Sequence, residues 1–196
     1  MKHTVGILAY GSLIDAPDWE IEEVRVQTIK GLFTPFHVEF ARSSSKRGGA
    51  PTLVPYEGGG HVRAQVLIVD TSVTDATNRL YRRESDKVGT DQHSKHSNNP
   101  GPNKVIVRSL ECQFGLDVVL YTCFGATIDE PTAVILAQYA IDSVAEAKPG
   151  KDGISYLNNA MNAGIETPLS AAYAEEILRR MGTLNLADAL EKVMAS

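Results

Sequence analysis

The chain has 196 residues, 43% of them hydrophobic and 22% charged. It is long enough to bury a core, and its composition is ordinary for one globular domain. The net charge of −5 argues against nucleic acid or an anionic membrane as the main partner, and no run approaches the roughly 20 apolar residues that span a bilayer.

Lys2 precedes an apolar run, as in a signal peptide. Tyr10-Gly11-Ser12 interrupts that run, however, and the acidic stretch from Asp15 to Glu23 follows it. No leader is expected, and the expected location is cytoplasmic. Cys112 and Cys123 are the two cysteines. They are too few for a disulfide framework and read as buried free thiols of a reducing compartment.

Thr4 to Tyr10 is apolar on both faces, the pattern of a central strand. It stops at Tyr10-Gly11-Ser12-Leu13, a small turn that exposes backbone N–H groups and carries a hydroxyl. Such a turn is either a plain strand end or an anion cradle. Ile14 to Gln27 is acidic and irregular and reads as a surface connection. Gly31 to Ala41 alternates, with Phe36, Val38 and Phe40 on one face and His37, Glu39 and Ala41 on the other, which is the period of a strand. Arg42 falls on the Phe40 face, where a charge calls for an anion. Lys46 and Arg47 extend a basic segment that reads as solvated or substrate-facing. Thr52 to Tyr56 and His61 to Asp70 are two further strands, and Gly58-Gly59-Gly60 between them predicts a hairpin turn.

A helix starts after Ser72, with Asp75 three residues on as an approximate capping box. Val73, Ala76, Thr77 and Leu80 form its apolar stripe. One more turn brings that stripe to Glu84. Burial and the negative helix pole both disfavour a charge there, while Arg82 and Arg83 suit that end of the helix. The alternative is an exposed carboxylate paired with one of these arginines. Ser85 to Lys104 lacks periodicity and predicts a long mobile loop. His93 and His96 within it read as solvated, with no third ligand in sight, so no metal is expected. Lys104 to Cys112 and Leu116 to Phe124 predict a hairpin around Phe114-Gly115. Four helices follow, at about 131–147, 153–163, 168–181 and 185–194. Pro131 and Pro168 suit first-turn positions, and Pro149-Gly150 marks a break. The whole reads as one domain over 1–196, with a core at about 4–125 and a helical extension at about 130–196.

In this order of elements, a buried strand running into Tyr10-Gly11-Ser12-Leu13 and a helix ending in Glu84 resemble the γ-glutamylcyclotransferase-like family. "FARSS" (40–44) and "GAPTLVPYEGGGHVRAQVLIVD" (49–70) are similar in style to its strand–hairpin–strand section, and "DGISYLNNAMNAGIETPLSAAYAEEIL" (152–178) to the tail of its longer members. The resemblance covers residues 4–125 best. It implies an α+β fold: a mixed β-barrel, a helix carrying the catalytic glutamate, and a helical C-terminal tail. It also implies a cofactor-independent enzyme that releases 5-oxoproline from a γ-glutamyl peptide or γ-glutamyl amine.

In that chemistry the substrate's own α-amine attacks its γ-carbonyl. The backbone N–H groups of Gly11, Ser12 and Leu13 would receive the substrate carboxylate or the oxyanion, and Tyr10 and Arg42 would complete the binding site. Glu84 would move the proton from the ammonium to the leaving amine. Family enzymes often place a tyrosine a few residues past the glutamate. Here none follows Glu84 before Tyr121, so Tyr121 or Tyr156 would fill that role or the substrate is handled differently. The implied partner is a small γ-glutamyl molecule, with no nucleic acid and no membrane. The alternative is a non-catalytic or regulatory member that binds a small carboxylate in the same place.

Overall fold

Val5–Ala9, apolar and buried at every position, forms β1 at the centre of a five-stranded sheet ordered β2-β5-β1-β7-β6. The computed structural model describes residues 4–94 and 104–195. The remaining elements are α1 (Trp19–Val24), β2 (Arg25–Phe33), β3 (Val38–Ser44), β4 (Ala50–Pro55), β5 (Arg63–Val69), α2 (Val73–Ser85), β6 (Ile106–Gln113) and β7 (Leu116–Cys123), then α3 (Ala133–Glu146), α4 (Gly153–Asn162), α5 (Ser170–Met181) and α6 (Leu186–Met194). The architecture is mixed α+β. Among the described residues no helix is long and apolar enough to cross a membrane.

The chain divides into two compact units, residues 1–34 with 63–125 and residues 35–62 with 126–196. In the first, β1 runs antiparallel to β5 and parallel to β7. Gly6 has no side chain because a Cβ there would lie 2.6 Å from Val66 and 2.7 Å from Leu116. Val5, Ile7 and Ala9 pack with Leu67, Val69 and Leu120 of the sheet and with Ala76 and Leu80 of α2. The stripe predicted for this helix is therefore its core face. Its cap is also as expected: the Ser72 Oγ accepts the Asp75 N–H at 3.1 Å. β6 and β7 form the predicted hairpin.

The second unit holds a two-stranded sheet, β3 with β4, and the helices α3 to α6. Phe40 and Tyr173 are fully buried, with ring centroids 5.4 Å apart at 75°. The N-terminus of α5 carries no side-chain cap of its own. A carboxylate from β3 takes that place: Glu39, 1% exposed, accepts from the Leu169 N–H at 3.3 Å, the Thr167 hydroxyl at 2.6 Å and the Phe40 N–H at 2.8 Å. An anion at a helix N-terminus is favoured by the open N–H groups there.

Several expectations require correction. The five-stranded sheet ends at β2 and β6, and β3 and β4 form a separate pair, so no sheet among the described residues closes into a barrel. The triple glycine does not join two strands of one hairpin. β4 pairs with β3, and β5 pairs with β1 and β2. Gly60 instead exchanges backbone hydrogen bonds with Val38, at 2.8 and 3.1 Å. A Cβ on Gly59 would lie 2.2 Å from the Val38 oxygen, so it is close backbone approach that demands glycine here.

Gly31 to Ala41 is not one strand. It is divided by the stretch 34–37 between β2 and β3, which belong to different units. Val38 to Arg42 are all buried, with a register shift between Glu39 and Arg42, so the alternation does not separate a wet face from a dry one. Within the acidic connection lies α1, capped by Asp18. Pro131 and Pro168 stand before the capping residues Thr132 and Leu169, outside the first turn. Cys123 is half-buried, and burial pushes its thiol up, but Cys112 is exposed, at φ 53° in the strand end before the hairpin turn.

Candidate functional site

After Ala9 the chain continues extended through Tyr10 (φ −139°, ψ 153°) and then turns at Gly11, which adopts φ 65°. Any other L-residue is strained in that left-handed conformation, which explains the glycine. Gly11–Leu13 forms a single 3₁₀ turn. This turn holds the three N–H groups, of Gly11, Ser12 and Leu13, expected to receive an anion. The Ile14 N–H donates to the Gly11 oxygen and the Ala16 N–H to the Ser12 oxygen, each at 3.1 Å. Buried Gln65 on β5 donates to the Ile14 oxygen at 3.0 Å. The Tyr10 hydroxyl donates to the Thr122 carbonyl of β7 at 2.8 Å, which ties the start of the turn to the sheet.

Glu84 lies one turn beyond Leu80 on α2, with its side chain 15% exposed. The helix runs on to Ser85, so Glu84 stands in its last turn, partly buried. It is paired nonetheless. Arg83 Nη1 donates to Glu84 Oε1 at 2.6 Å. The same guanidinium donates to the Ala16 carbonyl from Nε at 3.2 Å and Nη2 at 2.8 Å, and from Nη2 to Ser12 Oγ at 3.4 Å. Ser12 and Glu84, 72 positions apart, are thus joined through one arginine. Sequence reading gave Arg83 the task of balancing the helix pole, or of pairing with Glu84, but not its contacts with Ser12 and Ala16. That a long side chain would reach back to a turn of another element has no signature in local spacing.

Next to this cluster stands a second pair that sequence reading did not find. Arg82 Nε meets Glu20 Oε2 at 2.7 Å, with side chains 11% and 6% exposed. The other Glu20 oxygen accepts the Gly89 N–H at 2.7 Å, and Arg82 Nη1 donates to the Gln92 carbonyl at 3.2 Å. The Ser94 N–H reaches Asn78 Oδ1 at 3.0 Å. Residues 86–94, expected to be part of a mobile loop, are therefore held against α1 and α2, and 95–103 lie outside the described residues. A signal for α1 was present. Asp18 precedes an apolar Ile21, as an N-cap does, and its Oδ1 accepts from the Glu20 and Ile21 N–H groups at 2.7 and 3.2 Å. Burial raises the Asp18 carboxyl above its ordinary range against those two bonds.

Arg42 belongs to the second unit, on β3 opposite Thr52. It is 8% exposed, and burial lowers its guanidinium from the usual arginine range. Of the two tyrosines considered as aids to Glu84, Tyr121 is in the first unit, half-buried on β7, and burial raises its hydroxyl. Tyr156 is in the second, beneath Arg47 at 4.6 Å, with its hydroxyl 3.4 Å from the Leu53 N–H. His93 is exposed, and His96 lies outside the described residues. Among the described residues no three His, Cys, Asp or Glu side chains gather as a metal set.

What the cluster can do follows from its parts. A glycine-containing turn is a backbone shape that can present N–H donors to an anion. A partly buried carboxylate is held by a guanidinium that also contacts the turn. No family model, curated protein or solved structure matches the chain.

Proposed function

We propose that this protein is a cofactor-independent γ-glutamyl cyclotransferase, acting on a γ-glutamyl peptide or γ-glutamyl amine. The observation that carries this reading is the single guanidinium of Arg83, which joins the Ser12 hydroxyl to the Glu84 carboxylate at the end of a buried strand. The resemblance of Tyr10-Gly11-Ser12-Leu13 and Glu84 to the family pattern supports the same assignment.

In the proposed reaction Glu84 takes a proton from the substrate's α-ammonium. The freed amine attacks the γ-carbonyl carbon, forming the lactam C–N bond. The Gly11, Ser12 and Leu13 N–H groups stabilise the oxyanion as it develops. The original amide C–N bond then breaks, and Glu84 returns the proton to the leaving amine. Holding the γ-glutamyl chain in its cyclised shape removes much of the entropic barrier. The products are 5-oxoproline and a free amine.

One contact favours the second reading, a non-catalytic binder of small carboxylates. Arg83 already engages one oxygen of Glu84 at 2.6 Å. Incubation with a panel of γ-glutamyl compounds separates the two. The enzyme releases 5-oxoproline, whereas a binder shows saturable binding and no product.

A further inference from the structure

We propose that Arg83 is a positioning residue that couples the turn after β1 to the Glu84 carboxylate. Adjacent helical side chains diverge by about 100° and do not face each other, yet the charged ends of Arg83 and Glu84 meet at 2.6 Å. The arginine is bent off its helical direction, and what it bends toward is the turn. Nε and Nη2 converge on the Ala16 carbonyl at 3.2 and 2.8 Å, and Nη2 also lies 3.4 Å from Ser12 Oγ. Only a guanidinium has a fork that reaches a carbonyl with two donors and a carboxylate with a third; a lysine ammonium cannot do all of this from one position. The side chain is 14% exposed, so water competes weakly for these bonds.

Two hydrogen bonds tie the turn together. The Ala16 N–H is bonded to the Ser12 oxygen and the Ile14 N–H to the Gly11 oxygen, so a force on the Ala16 carbonyl is passed to Gly11 and Ser12. Whatever shifts Glu84 is felt at the turn, and by reciprocity whatever occupies the turn is felt at Glu84. The kinetic consequence rests on the cyclotransferase reading: Arg83 sets the distance between the proton-transferring oxygen and a substrate seated on the turn. A misplacement of about 1 Å lowers such rates about 100-fold.

Hydrogen exchange at the Ile14 and Ala16 amides tests the coupling without any substrate. The proteins compared are the parent, R83A, R83K, E84Q and R83A/E84Q. R83A is expected to speed both amides at least about tenfold and to leave the β1–β5 ladder amides of Ile7 and Leu67 unchanged. E84Q alone should speed the same two amides, and it should add nothing once Arg83 is gone. If R83A does not fold, R83K carries the comparison, with ladder protection certifying its fold. Unchanged exchange at Ile14 and Ala16 without the arginine fork, or an E84Q effect of equal size with and without Arg83, overturns the proposal. With a γ-glutamyl substrate, R83K should lower kcat about 100-fold and leave KM within about threefold, and an unchanged kcat overturns the positioning role. A parent protein that releases no 5-oxoproline refutes the cyclotransferase reading, and the exchange results then decide the role of Arg83 alone.

Discussion

Two buried carboxylates in this protein are stabilised in opposite ways, and each makes a different prediction. Glu39 is held by neutral donors, the Phe40 and Leu169 N–H groups and the Thr167 hydroxyl. Burial is the larger influence and raises its carboxyl above the ordinary 4.5, against the three hydrogen bonds. A raised folded-state pKa gives stability that is complete below the unfolded value and is lost as pH rises through the folded one. Stability of the parent should therefore fall with rising pH above about 4.5 more steeply than that of E39Q, as read from urea midpoints across pH. Equal slopes would contradict the burial argument. Glu20, by contrast, faces the buried guanidinium of Arg82. Removing one partner of such a pair leaves the other charge desolvated, so E20Q should destabilise by about 3 kcal/mol. A denaturation midpoint shifted at unchanged slope would report it. Glu84 was legible in the sequence because it continues an apolar stripe. Glu39 and Glu20 were not, because alternation put the first on the face opposite Phe36, Val38 and Phe40 and acidity put the second in a surface connection.

At the level of elements, local signals succeeded wherever the element is self-sufficient. The Ser72 cap, the α2 stripe, the hairpin around Phe114-Gly115 and the four C-terminal helices all lie close to where periodicity and turn chemistry put them. Pairing partners were not legible. β4 and β5 are separated by three glycines, the strongest local sign of a hairpin, yet each pairs elsewhere. The glycines answer a tertiary demand, namely the approach of Gly59 and Gly60 to the Val38 backbone. Gly59→Ala puts a methyl group on that backbone, and backbone cannot yield as a flexible side chain can. A loss of about 1–3 kcal/mol is expected, the range for overpacked sites, against a negligible change if these residues only formed a solvent-exposed turn. Chemical denaturation of this one variant distinguishes the two.

At the scale of the whole molecule, the resemblance implied an α+β protein and the lack of a long apolar run implied no membrane-crossing helix; the described residues are mixed α+β and hold no helix long and apolar enough to cross a membrane. The closed barrel was lost because β3 and β4 pair with each other, in a compact unit with the C-terminal helices. That grouping joins residues 35–62 to residues beyond 126, a separation no windowed pattern can see. The proposed function rests on one cluster: a strand-end turn, Ser12, Arg83 and Glu84. Its central claim is that Glu84 moves the proton that lets a γ-glutamyl group close on itself. The most direct measurement is 5-oxoproline release from a panel of γ-glutamyl compounds by the parent and by E84Q. The glutamine keeps the shape and loses the basic oxygen, so turnover should fall at least about 100-fold while substrate binding persists. A glutamine variant that turns over as fast as the parent, or a parent that releases no 5-oxoproline from any member of the panel, would contradict the account.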